Sequence, residues 1–166
     1  MKRKKICLVF VLLVLMFLLP RAVQAATITC ISLEDAYVNQ ASPSSNYGTA
    51  TRLHVRGSGS NRAKISYLKF NVSGVTGPVQ SAILKVWSYD CDVLTTAYEV
   101  PNTSWTETGL TWNNRPALGS ALDSTTPPPS EDWVYFDVTD AVSDDGTYAF
   151  ALTIANDTSL QYKALE

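Results

Sequence analysis

The chain has 166 residues, of which 46% are hydrophobic and 17% charged, with a formal net charge of −2 at pH 7. That length suits one domain with a real core and falls short of two ordinary ones. The excess of acid over base argues against a nucleic-acid partner, whose phosphates call for a basic surface.

The first element in chain order is a leader. MKRKK is followed by the apolar run Ile6 to Leu19, then Pro20 and RAVQA, the order of a signal peptide with cleavage after Ala25. The run is shorter than the roughly 20 residues of a spanning helix. The expectation is a signal peptide over residues 1–25 and a secreted, extracellular or cell-surface domain over 26–166, with no membrane association after cleavage. Cys30 and Cys91 remain in that domain as a disulfide candidate suited to an oxidising compartment, with two free thiols as the alternative.

Beyond the leader, helical periodicity is almost absent. Short alternating runs rich in Val, Ile, Thr and aromatics recur between clusters of Gly, Pro, Asn and Ser. Strands are predicted at 35–39, 52–56, 66–72, 81–89, 96–100, 133–138 and 148–156. A single helical turn is predicted near residue 140, capped by Thr139 or Asp140 and ended by Gly146. The pattern indicates an all-β, single-domain antiparallel sandwich, with a jelly roll as the natural candidate.

The charge is unevenly spread. Five of the thirteen basic residues lie in the leader, so residues 26–166 carry eight basic and fifteen acidic side chains, a formal −7. Six of those eight, Arg52, Arg56, Arg62, Lys64, Lys69 and Lys85, fall in a stretch without Asp or Glu. Period-two alternation points Leu53, Val55, Leu68, Phe70, Leu84 and Val86 to one side of their strands, and Arg52, His54, Arg56, Tyr67, Lys69, Lys85, Trp87 and Tyr89 to the other. If these strands share a sheet, Arg52, Arg56, Lys69 and Lys85 form a basic face with Tyr67 and Trp87 interleaved.

The ordered series DAYV, SPSSNYGTATRLHV, SYLKFNVSG, SAILKVW, SWTETGLTWNNRPALGS and WVYFDVTDAV resembles the DNRLRE domain, also treated as carbohydrate-binding module family 96 and related to disaggregatase repeats. The likeness covers about residues 34–166, and TWNNRPALG is its most specific part. It implies a jelly-roll β-sandwich of exported proteins that binds, without cleaving, an acidic polysaccharide such as alginate. The naming motif departs from the family pattern: it reads QYKALE, with Leu165 where a second Arg would stand. The family usually continues into one more strand, so the expectation is either a missing last strand, with an unpaired edge that promotes self-association, or a sequence that is a fragment of a longer protein.

Within that frame Trp105 and Trp112 are read as plugs at the end of the core, with a sugar platform as the alternative. The basic face is the candidate carbohydrate site: Arg52, Arg56, Tyr67, Lys69, Lys85 and Trp87. A uronate lyase using His54 beside Arg52, Arg56 and Tyr67 is a minor alternative. A structural or adhesive surface module is another. No cofactor is expected; structural Ca2+ on acids such as Glu34, Asp35, Asp137 and Asp140 stays open.

Overall fold

The computed structural model describes residues 26–59, 61–89 and 92–164. The expected signal peptide, Cys91, Leu165 and Glu166 lie outside the described residues. Strands follow in the order β1 (Ser32–Asn39), β2 (Arg52–Arg56), β3 (Lys64–Val72), β4 (Ile83–Ser88), β5 (Thr95–Glu99), β6 (Ala121–Thr125), β7 (Asp132–Asp137), β8 (Gly146–Ile154) and β9 (Ser159–Lys163).

All strand pairs are antiparallel, and the path runs β6-β5-β8-β3-β2-β9-β4-β7 with β1 added to β3. Among the described residues a single pair, Arg56 opposite Lys64, joins the two halves of this path. The first sheet is β1, β3, β8, β5 and β6; the second is β2, β9, β4 and β7. At the far side β6 and β7 approach again, where Thr125 Oγ1 donates to the Tyr135 carbonyl and the Asp137 N–H donates to Asp123 Oδ2. The result is a nearly closed, barrel-like sandwich, which limits exposed strand edges. β9 lies inside the second sheet, paired with β2 on one side and β4 on the other.

Between the sheets lies the main core, built from Leu53, Val55, Leu68, Leu84, Val86, Val134, Phe136, Phe150, Leu152 and Leu160. Alternation places these side chains inward, as β-branched and aromatic residues on a pleated strand should be. Tyr162 is fully buried among them, and its hydroxyl is paired with Thr95 Oγ1 at 2.7 Å, which satisfies both polar groups.

A second core lies on the outer side of the first sheet. Ala36, Val38, Tyr67, Ala149 and Ala151 point there and are covered by Val100, Trp105 and Leu110, with Trp112 and Leu118 packed alongside. Trp105 is 8% exposed. The tryptophans are plugs, but they cover the flank of one sheet and not the end of the sandwich.

The expected helical turn is a 3-10 turn at Thr139–Ala141, with Val138 at its N-cap and no side-chain cap bond. Thr139 Oγ1 instead accepts from the Ala82 N–H and donates to Asp137 Oδ1, which ties the end of β7 to the entry of β4. Gly146 opens β8 and does not end the turn.

Candidate functional site

Among the described residues no loop covers the outer face of the second sheet as residues 100–118 cover the first. Arg52, Lys85, Trp133, Tyr135 and Lys163 are exposed on it, with Arg56, Trp87, Tyr89 and Gln161 half-buried. Strand pairing brings them together. Lys85 stands opposite Tyr135 and Trp87 opposite Trp133 across β4 and β7. Arg52 stands opposite Lys163 and His54 opposite Gln161 across β2 and β9.

The side chains are ordered by contact with one another. The Lys85 ammonium lies 4.0 Å from the Trp133 ring centre and 5.6 Å from that of Tyr135. Trp87 meets Trp133 edge-on at 5.3 Å, the arrangement favoured by the ring quadrupoles. The Arg52 guanidinium covers Tyr89 at 4.5 Å and donates to Gln161 Oε1 at 2.8 Å. Such cation–π contacts are worth about 0.5–1 kcal/mol at exposed sites, enough to bias where a long side chain rests. They leave the charge itself uncompensated: among the described residues Arg52, Lys85 and Lys163 make no ion pair.

Arg56 differs. Its Nε donates to Asp157 Oδ1 at 2.8 Å, and that bond holds the guanidinium firmly protonated. It is at the margin of the face, beside Lys64, whose ammonium burial pushes below its ordinary pKa. His54 turns to Tyr37, 4.8 Å between ring centres, and Tyr37 stacks on Tyr47.

Two expected site residues are elsewhere. Tyr67 is fully buried and Lys69 is 6% exposed. Alternation does turn them outward from β3, but residues 100–118 cover that side. Lys69 Nζ donates to Glu34 Oε2 and to the Trp105 carbonyl and lies 4.5 Å over the Trp105 ring. The Tyr67 hydroxyl donates to the Pro116 carbonyl at 3.0 Å, and burial pushes its pKa up to about 12. Both side chains hold the cover in place and neither reaches the open face.

The most family-specific motifs serve that cover. Asn46 Nδ2 donates to the Glu107 and Leu110 carbonyls, each at 2.7 Å, and the Asn113 N–H donates to the Pro43 carbonyl at 3.1 Å. Asn114 Oδ1 accepts from the Thr111 N–H and hydroxyl, while its Nδ2 donates to the Gly109 carbonyl. Arg115 lies 3.7 Å over the Trp112 ring and donates to the Trp112 carbonyl. A side chain at Gly48 would place its Cβ 2.3 Å from the Glu107 carbonyl oxygen, so only glycine lets SPSSNYG approach the cover.

Cys30 is a half-buried free thiol, and its expected partner Cys91 lies outside the described residues. No group of three His, Cys, Asp or Glu side chains among the described residues is arranged to hold a metal ion. Of the acids considered for Ca2+, Glu34 pairs with Lys69, and Asp137 accepts from the Thr139 hydroxyl and N–H, which hold its carboxyl below its ordinary pKa.

Sequence reasoning missed Trp133, Tyr135, Gln161 and Lys163. The first two were readable, since WVYFDV puts them on the parity opposite Val134 and Phe136. Gln161 and Lys163 were not, because SLQYK was read as a remnant of a motif and not as a strand.

Over 108 residues the chain is 30% identical to a gellan lyase from Bacillus sp, a match that covers 61% of this chain and 4% of that protein. The match therefore concerns a small part of a much longer enzyme. With the ordered motifs, the all-β sandwich and a family model that matches residues 26–166, the chain belongs to carbohydrate-binding module family 96.

Proposed function

We propose that this module is exported and non-catalytic, and that it holds an acidic polysaccharide across the outer face of the second sheet. One observation carries the reading: Arg52, Lys85 and Lys163 stand on an open sheet face with Trp87, Tyr89, Trp133 and Tyr135, and none of the three cations has an acidic partner among the described residues. Soluble surfaces usually intersperse the two signs. The leader supports export, and among the described residues no helix is long and apolar enough to cross a membrane. The likeness to part of a gellan lyase supports a polysaccharide setting.

The energetics suit a weak module. An exposed ion pair contributes about 0.2–1 kcal/mol, so three reach about 3 kcal/mol, short of a millimolar dissociation constant. Ring stacking on the aromatics, or several modules in one chain, supplies the rest. A lyase reading has less support, because His54 packs on Tyr37 and Tyr67 is buried away from it.

Affinity electrophoresis through alginate, pectin and a neutral glucan at low and high salt tests the reading. Retardation by the acidic polymers, weakened by salt, is expected, since screening acts within about 8–10 Å at ordinary ionic strength. Arg52→Ala with Lys85→Ala should weaken retardation about tenfold while leaving the unfolding midpoint unchanged. Unretarded wild-type protein would shift the weight to a structural or adhesive module.

A further inference from the structure

The open face carries its charge in two separate places. At one, Arg52 and Lys163 stand directly opposite each other on neighbouring strands. Like charges in that position repel, and they become favourable when an anion lies between them. At the other, Lys85 stands alone over Trp133 and Tyr135.

The distance between the two follows from the pairing. Antiparallel counting from the Ser88–Tyr162 pair sets Lys163 level with Trp87, and Trp87 is opposite Trp133. Lys85 is two residues further along β4, so its backbone lies on the order of 8 Å from that of Lys163 and 12 Å from that of Arg52. Arg52 extends the gap by leaning over Tyr89, four residues from Lys85 along the chain. The interval holds Trp87, level with Lys163 and edge-on to Trp133, whose own ring lies under the Lys85 ammonium.

We infer that this face selects glycans whose carboxylates are separated by uncharged sugars, over polymers with a carboxylate on every sugar. The inference rests on the binding reading above and deepens it. One carboxylate sits between Arg52 and Lys163, the next at Lys85, and an uncharged ring lies on Trp87 between them. A sugar's C–H face suits an aromatic surface, whereas a carboxylate there meets the negative face of a ring and loses water without gaining a donor. The nearest other charges do not alter this: Asp157 is held by Arg56, and Asp137, two residues along β7 from the Tyr135 that faces Lys85, turns to Thr139.

The test uses fluorescent oligosaccharides of matched length, titrated into the chain at fixed ionic strength: hyaluronan fragments, with a carboxylate on every second sugar, and oligogalacturonate, with one on every sugar. Tighter binding of the hyaluronan fragments by about fivefold, despite half the charge, is the expected result. Equal or tighter binding of oligogalacturonate overturns the inference while leaving acidic-glycan binding intact. No binding of either, with intact fold by circular dichroism, overturns both. A cation placed in the interval provides the second arm. Trp87→Lys should shift the preference toward oligogalacturonate; a folded variant with unchanged preference counts against the spacing argument.

Discussion

On the first sheet Tyr67 and Lys69 project outward from β3 and are sealed under residues 100–118; on the second, Lys85 and Trp87 project outward from β4 and remain open. The two strands carry the same kind of pattern, a lysine and an aromatic on the parity away from the main core. Their electrostatic surroundings differ accordingly. The sealed lysine has a carboxylate and a carbonyl, because a buried ammonium without partners is costly. Among the described residues the open lysine meets ring faces and no acid, so its charge stays uncompensated. A cation on a strand's polar parity therefore stays exposed or becomes an internal fastener according to what covers the sheet.

Removing the cover is the strongest way to break this contrast. Trp105→Ala should destabilise the protein by about 3–5 kcal/mol in chemical unfolding, the usual result of deleting a large buried aromatic. At temperatures where the variant is folded, glycan retardation should match the wild type. A loss of binding in a folded variant would mean that the cover itself belongs to the site.

Lys69→Met acts on the same region with a smaller effect. It leaves the Glu34 carboxylate and the Trp105 carbonyl without their donor, and we expect a loss of about 3 kcal/mol, at the low end for a broken buried pair because Glu34 is about one quarter exposed. Adding Glu34→Leu should recover part of that loss. The corresponding change on the open sheet, Lys85→Met, should leave the unfolding midpoint within error and reduce binding. Equal stability effects at the two lysines would erase the distinction between the faces.

The fold was largely legible because alternation reports burial directly. Leu53 and Val55, Leu84 and Val86, and Val134 and Phe136 each declare an inward side. β6 was missed because ALDST has little alternation and is mostly exposed or half-buried; it rests on β5 backbone pairing more than on buried side chains. The candidate site was legible only in part. Parity assigns Arg52, Lys85 and Trp87 to the polar side of their strands, but strand neighbours and covering loops are long-range properties. β2 joins β9 and β4 joins β7, so Arg52 acquires Lys163 and Lys85 acquires Tyr135 from the far end of the chain. β3 lies in the other sheet, under residues 100–118, and takes Lys69 and Tyr67 with it. Trp105 and Trp112 are readable as plugs, but the role of SPSSNYG becomes visible only where Asn46 and Gly48 meet Glu107.

The sealed face also has a titratable reporter, expected to give the smallest effect of the series. Burial raises the Tyr67 phenol to about 12, with Arg115 acting weakly in the other direction. An unfolded tyrosine ionises near 10, so over pH 10–12 the unfolded chain releases the proton while the native phenol keeps it. The neutral form is the one the fold favours, so its contribution is fully present below pH 10 and falls as pH rises through 12. The loss amounts to about 2 kcal/mol. Tyr67→Phe separates this from other alkaline titrations. It should be less stable than the wild type at pH 8 by about 1–3 kcal/mol, since the buried Pro116 carbonyl loses its donor. As pH rises toward 12 the urea midpoints of the two proteins should converge, because only the wild type has a phenol at position 67 to ionise. Parallel midpoints across that range would show that Tyr67 reaches solvent without unfolding, and the cover would then be a lid that opens and not a second core.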